Sequence, residues 1–266
     1  MLKHLDLCSG IGGFALGLQS TDFFKTIGFC EIDPYCQKVL KKNFSSVPIF
    51  NDIKELKPKE LNLQPDIITA GFPCQPFSVA GKQKGKDDDR NLWQETFRII
   101  KESKPTFFIG ENVGGIVKLY LDTILQDLES ESYSTRCFNI SASSIGAKHK
   151  RERIWIVSYS NAGLGIGENE EIQTRGNTTT NGSQNVSNSN NIGTQVSTQR
   201  QYSSIKLFGS KSQKNWWQTF SKFHRIPNGV SYGLDKDRAK RIKALGNAIV
   251  PQIPYYIGLA IKEMYE

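Results

Sequence analysis

Three short runs concentrate residue types that can do chemistry. Cys74 lies in Gly71-Phe72-Pro73-Cys74-Gln75-Pro76-Phe77-Ser78, between two prolines and just past the apolar run Asp66–Ala70. A stiff backbone fixes the direction of a side chain, and a thiolate attacks electrophilic carbon, so Cys74 reads as a nucleophile. Glu111-Asn112-Val113 follows a second apolar run, Thr106–Gly110. A carboxyl placed beside a nucleophile can hydrogen-bond or protonate the group under attack. The third run, Ala147-Lys148-His149-Lys150-Arg151-Glu152-Arg153, leads into Ile154–Val157. Strand alternation puts His149, Arg151 and Arg153 on one face, where they present cations to an oxygen or a phosphate.

A fourth motif is suited to binding. Asp6-Leu7-Cys8-Ser9-Gly10-Ile11-Gly12-Gly13-Phe14-Ala15 has the form of a strand end, a glycine turn and a helix start, and Glu31 follows at the end of the next strand. Such glycines allow close backbone approach, and an acid about 20 residues on can accept from ribose hydroxyls. Gly10-x-Gly12-x-x-Ala15 also satisfies the nicotinamide-dinucleotide fingerprint, so the motif alone leaves the nucleoside open. Charge narrows the choice. No Lys or Arg lies between His4 and Phe24, and Asp6, Glu31, Asp52 and Glu111 sit at or just past strand ends. A pyrophosphate finds little complement there, whereas a cationic sulfonium nucleoside does. S-adenosylmethionine fits better than a dinucleotide.

These motifs need a scaffold. With 266 residues, 38% hydrophobic and 23% charged, the chain can form one large α/β domain with an appendage. Strands are expected near Lys3–Leu7, Thr26–Cys30, Val47–Phe50, Asp66–Ala70, Thr106–Gly110, Ser134–Ile140 and Arg153–Tyr159. Helices are expected at Gly13–Ser20, Pro34–Asn43, Leu92–Ser103, Ile116–Ser130 and Asp235–Leu245, with a closing helix after Pro251 or Pro254. The alternation predicts a doubly wound, mostly parallel sheet that binds ligands at the carboxyl ends of its strands. The terminal helices dock back on it, giving a discontinuous main domain of residues 1–159 plus 235–266. Residues 160–234 form an inserted region, whose Asn/Ser/Thr/Gln/Gly-rich part, about 163–204, is too polar to offset its own ordering entropy.

Charge and cysteine content bound the setting. Of the net +8, residues 161–266 supply +6, and Ile172–Leu234 holds seven bases and no acid. Aromatics, among them Tyr202, Trp216, Trp217 and Phe220, are interleaved with those bases, and a polyanion is the natural partner. Five cysteines with no Cys-x-x-Cys pair fit a reduced compartment and give no thiolate metal site. With no apolar run of about 18 residues and no signal peptide, the expected location is the cytoplasm, away from any membrane.

Taken together, the glycine motif, Glu31, Asp52, Pro73-Cys74-Gln75, Glu111-Asn112-Val113, the arginine run ending at Arg153 and Gly246-Asn247 resemble, in order, the DNA cytosine-5 methyltransferases of bacterial restriction-modification systems. The resemblance covers residues 1–159 and about 235–260. It implies a Rossmann-like methyltransferase fold and methyl transfer from S-adenosylmethionine to C5 of a flipped-out cytosine in duplex DNA. Cys74 is then the nucleophile, Glu111 the contact to cytosine N3 and its amine, and Arg153 the contact to O2, with Arg151 nearby. Cofactor contacts are implied at Asp6, Cys8, Ser9, Gly10, Gly12, Gly13, Phe14, Glu31, Ile32, Asp52, Ile53, Phe72 and Asn247. Phosphate contacts fall to Lys82, Lys84 and Arg90 of the basic loop after Cys74 and to Lys206, Lys211 and Lys214 of the acid-free segment, which is expected to recognise the target. No metal is implied. The protein is expected to act as a monomer, with a cognate restriction endonuclease acting on the same site without a stable complex. His149 stands where the family has Gln, and Cys8 where an aromatic often stacks on adenine.

Two other activities share parts of this pattern. A tRNA cytosine-5 methyltransferase would use the same residues on another nucleic acid, because a basic surface does not separate RNA from DNA. A nicotinamide-dependent oxidoreductase would use the glycine motif and Glu31 but gives Cys74, Glu111 and the basic segment no joint purpose. A zinc deaminase lacks its His-x-Glu and Pro-Cys-x-x-Cys motifs here.

Overall fold

The computed structural model describes residues 1–72, 92–161 and 237–265. Seven strands form one sheet: β1 (Leu2–Leu7), β2 (Phe24–Cys30), β3 (Ile49–Phe50), β4 (Ile67–Ala70), β5 (Phe107–Asn112), β6 (Tyr133–Ser141) and β7 (Glu152–Ser160). The helices are α1 (Gly13–Gln19), α2 (Pro34–Asn43), α3 (Trp93–Ser103), α4 (Ile116–Leu119), α5 (Leu121–Ser130), α6 (Arg238–Asn247) and α7 (Gln252–Glu263). Strand order is β3-β2-β1-β4-β5-β7-β6, parallel from β3 to β5 and antiparallel where β7 meets β5 and β6. The order reverses between β1 and β4, which is the topological switch point of a doubly wound sheet and opens a crevice above the strand ends.

Side-chain alternation covers both faces of the sheet. Leu5, Leu7, Ile68, Phe108 and Ile156 join one core with α3 and α5, while Ile67, Phe107, Ile109 and Trp155 join a second with α1 and α7. Every residue of β4 and β5 is buried, the continuous apolar pattern of strands covered twice. Local signals also hold. Asp33 caps α2 by accepting from the amides of Tyr35 at 2.8 Å and Cys36 at 3.4 Å, Pro34 opens the helix, and Lys41 and Lys42 close it.

Three expectations change. The helix expected over Ile116–Ser130 is two, broken at Tyr120, whose ring is 3% exposed and whose φ of −149° leaves the helical region. Asp235–Leu245 becomes Arg238–Asn247, so α6 runs through Gly246 rather than ending before it. The stretch Ala239–Glu263 does meet a length and composition test for a membrane span. Its backbone is nevertheless two helices of 10 and 12 residues separated at 248–251, and α7 packs on α1. The inserted region 160–234, including its polar part 163–204, lies almost wholly outside the described residues, so the structure does not test the expected domain division.

Candidate active site

At the carboxyl ends of β1 and β2 the glycine turn is built as its sequence requires. Gly12, with φ of +86°, is the left-handed residue that starts α1, and a Cβ on Gly13 would lie 2.8 Å from the Ile249 carbonyl oxygen. Close passage of the connector between α6 and α7 over the turn therefore depends on the absent side chain of Gly13. Glu31 accepts from the amides of Gly10 at 2.6 Å and Asp33 at 2.8 Å, so the expected ribose ligand is also the brace of the turn. Burial pushes its carboxyl up in pKa despite those two amides. Ile32 beside it is 62% exposed, an apolar surface open to a flat ring.

Several expected cofactor residues spend their side chains elsewhere. Phe14 is 1% exposed and packs edge-on against Trp155, with ring centroids 5.7 Å apart. Phe72 packs on Trp93, and Ile53 belongs to the core. The Ser9 hydroxyl donates to the Asp6 carbonyl at 2.6 Å, and Asp52 accepts from the Lys54 amide at 2.9 Å, forming a turn. Asp6 is fully buried. Its Oδ1 accepts from the Thr69 hydroxyl at 2.7 Å, Thr69 bonds His4 at 2.7 Å, and His4 bonds Thr26 at 3.1 Å. Burial drives Asp6 well above the carboxylate range and His4 down to about 3, so this chain is uncharged. Any contact from Asp6, Ser9 or Phe14 to a ligand must go through the main chain.

The expected reacting end lies at the end of β5, which is flanked by β4 and β7. Glu111, its side chain 11% exposed, pairs through Oε1 with Arg153 Nε at 3.0 Å. Burial raises its carboxyl to about 7 against the opposing pull of Arg153 and Arg151. Asn112, the next residue, donates from Nδ2 to the Phe72 carbonyl at 3.2 Å, and so fastens the chain just before Pro73-Cys74 beside Glu111. Cys74 itself, with Lys82, Lys84, Arg90, Lys206, Lys211 and Lys214, lies outside the described residues.

Arg151 departs from the expectation of one cationic strand face. β7 begins only at Glu152, and Arg151 has φ of +32°, so no alternation runs from His149 to Arg153. Its guanidinium donates to the carbonyls of Gly246 and Ala248, both at 2.8 Å, closing the carboxyl end of α6 instead of facing a substrate. Asn247 lies exposed between those two carbonyls. Sequence reasoning also missed Arg98 on α3, which reaches the carbonyls of Ile53 and Leu56. Its i−3 and i+4 glutamates, Glu95 and Glu102, were the available signal.

The field in the crevice tests the cofactor class. The Cys8 thiol is raised mainly by burial, with neighbouring Cys30, Glu31, Asp6 and Asp52 adding to it; with Asp6 neutral and Cys30 a thiol, Glu31 and Asp52 are the carboxyls there that suit a cation. A cavity of about 430 Å³ between Lys59 and Thr106 lies at the opposite, amino end of β4 and β5 and has no part in this site.

The chain is similar to several known proteins. The chain is 40% identical over 163 residues to the type II methyltransferase M1.ScrFI of Lactococcus lactis subsp. cremoris, covering 59% of this chain and 41% of that protein. It is 35% identical over 165 residues to M.HhaI of Haemophilus parahaemolyticus, covering 60% and 50%. The matches thus span about half or less of those relatives. Among solved structures, a putative DNA modification methyltransferase encoded within an E. coli prophage superposes with a TM-score of 0.52 at 28% identity, covering 61% of this chain and 47% of that one. The DNMT2 of Spodoptera frugiperda, at 24% identity and a TM-score of 0.53 over 60% of this chain and 50% of that one, shares the fold. The sequence pattern of the C-5 cytosine-specific DNA methylases matches residues 2–233, and the chain belongs to that family.

Proposed function

We propose that the protein transfers a methyl group from S-adenosylmethionine to C5 of cytosine in a specific duplex DNA sequence, as the modification enzyme of a type II restriction-modification system. One observation carries the reading. A buried carboxyl raised to about 7, paired with Arg153, stands beside the backbone that leads into Pro73-Cys74. An acid that keeps its proton near neutrality is suited to donate toward a ring nitrogen.

The chemistry requires these residue types. Cytosine C5 is a poor nucleophile. Addition of the Cys74 thiolate to C6 forms the S–C6 bond and opens the C5–C6 double bond, and a proton from Glu111 at N3 neutralises the charge that develops there. The ring is then an enamine with electron density at C5. When bound, S-adenosylmethionine supplies the electrophilic methyl group. Loss of the C5 proton to a base, breakage of S–C6 and return of the N3 proton to Glu111 restore the aromatic ring, the free thiolate and the protonated carboxyl. Glu31, Ile32 and the glycine turn hold the nucleoside, while Arg153, tied to Glu111, orients the carboxyl and faces O2. A free thiol with pKa of about 8.5 is mostly protonated at neutral pH, and an electropositive surround favours the ionised form this reaction needs.

A stacked cytosine is closed to such attack, so the base must leave the helix at a cost of a few kcal/mol. Phosphate contacts from Lys82, Lys84 and Arg90 on one wall and from Lys206, Lys211 and Lys214 on the other offset that cost. Target recognition falls to residues 160–234, inserted between the two parts, 1–159 and 235–266, of the catalytic domain. The protein works as a cytoplasmic monomer, and a cognate endonuclease acts on the same sequence without forming a stable complex with it.

The test is incubation with methyl-labelled S-adenosylmethionine and mixed-sequence duplex DNA, with tRNA in a parallel arm. Label at cytosine C5 of DNA is expected. Cys74→Ser abolishes transfer while S-adenosylhomocysteine and duplex binding survive, and a 5-fluorocytosine duplex traps a covalent adduct on Cys74. Label only in tRNA, or on an exocyclic amine, overturns the assignment.

A further inference from the structure

Among the described residues, Asp52–Leu56 after β3 and Ala248–Val250 between α6 and α7 are stretches of the crevice wall that belong to no helix or strand, like the glycine turn between them. Irregular backbone beside a ligand lacks a ladder to hold it, and its carbonyls need other donors. Both stretches are held in the same way. Arg98 on α3 donates from Nη2 to the carbonyls of Ile53 at 2.9 Å and Leu56 at 3.0 Å. It is itself aimed by Glu95 on Nε at 2.8 Å and Glu102 on Nη1 at 2.9 Å. Arg151 donates from Nη1 and Nη2 to the carbonyls of Gly246 and Ala248, both at 2.8 Å.

The two segments lie at opposite ends of the crevice. In the strand order β3-β2-β1-β4-β5-β7, Ile53 follows β3, outside the ribose-side carboxyl Glu31 that follows β2. Gly246–Ala248 is tied to the residue preceding β7, two positions from the Arg153 that pairs with Glu111, and Ile249 crosses the glycine turn at Gly13. A nucleoside on Glu31 therefore has the Arg98 segment at its base end and the Arg151 segment toward the reacting carboxyl. The planar guanidinium satisfies two carbonyls at once, which a lysine ammonium on a flexible stem reproduces only in part.

We infer that Arg98 and Arg151 are positioning residues that set the two irregular walls of the crevice independently, Arg98 at the nucleoside end and Arg151 at the amino-acid end of the cofactor. The inference rests on the S-adenosylmethionine reading given above. It separates Arg151 from the residues that touch cytosine and gives Arg98 a role in the site without ligand contact.

The test is calorimetric titration of the full chain with two ligands: S-adenosylhomocysteine, and 5′-methylthioadenosine, which keeps the nucleoside and lacks the amino acid. Wild type is compared with Arg98→Ala, Arg98→Lys, Arg151→Ala and Arg151→Lys, with a melting temperature for each. Arg98→Ala weakens both ligands alike, by about tenfold, and Arg98→Lys recovers part of the loss. Arg151→Ala weakens S-adenosylhomocysteine by about tenfold and methylthioadenosine by less than about twofold, with Arg151→Lys between the two proteins. Unchanged affinities, equal losses of both ligands in Arg151→Ala, or a loss in Arg98→Ala confined to S-adenosylhomocysteine overturn the inference. Failure of the wild type to bind either ligand overturns the cofactor reading itself and removes its basis.

Discussion

Asp6, at the centre of the parallel half of the sheet, and Glu111, at its junction with the antiparallel hairpin, are both carboxyls lifted by burial. Their surroundings differ. Asp6 is 0% exposed and joined to Thr69 and, through it, to neutral His4, with its Oδ2 lacking a hydrogen-bond partner. Glu111 keeps 11% of its side chain accessible and has a guanidinium at 3.0 Å. A raised carboxyl sealed among hydroxyls has no substrate to serve and acts through packing. A raised carboxyl with a mouth to solvent and a cation to steady its ionised form can pass a proton in either direction. Desolvation alone does not identify a reactive acid.

This contrast can be broken most sharply at Glu111. Glu111→Gln keeps the shape and removes the proton donor, so kcat falls by about 10²–10³-fold while S-adenosylhomocysteine affinity stays within about twofold, measured by steady-state methyl transfer and calorimetry. Arg153→Ala leaves the carboxyl buried without its cation. Stability falls by about 2 kcal/mol at pH 8 in urea unfolding and by less at pH 5, where the carboxyl is neutral. At Asp6 the prediction concerns stability rather than rate. Its folded pKa lies above the unfolded value, so the native state holds the proton after the unfolded chain has released it, and wild-type stability drains away as pH rises from the ordinary carboxylate range. Asp6→Asn does not titrate. Its stability relative to wild type therefore rises with pH, and its kcat stays within about threefold of wild type. The smallest effect belongs to a half-buried surface carboxyl, Asp33. Lys243→Gln, which breaks the 3.3 Å pair with Asp33, changes stability by no more than about 0.5 kcal/mol.

The parts of this arrangement that were legible in the sequence are those encoded locally. Apolar runs placed all seven strands within two residues at each end, and Asp33-Pro34 located the start of α2. Glu111 and Arg153, singled out by residue type, lie 3.0 Å apart as an ion pair. The rest is carried by contacts distant in the chain. A helix should stop near Gly246, yet α6 runs one residue further and is closed by an arginine 95 residues upstream. The positive φ of Arg151 leaves no trace in hydrophobic periodicity, so alternation assigned it the wrong direction. Arg98 looked like one polar residue on an amphipathic helix, because its carbonyl partners on a distant loop are set by main-chain path and not by residue type. Asp6 misled for the opposite reason: an acid at a strand end looks alike in sequence whether it faces a ligand or a sealed core.

The crossing of Ile249 over Gly13 has a consequence for synthesis. A ribosome delivers the chain from its amino terminus, so the sheet and its glycine turn can form while the strap that passes over them is still unmade. The last wall of the crevice is supplied by residues translated more than two hundred positions after the turn it covers. A nascent chain halted before that strap leaves a gap where the crevice closes, so the crevice is complete only once Ile249 has been made.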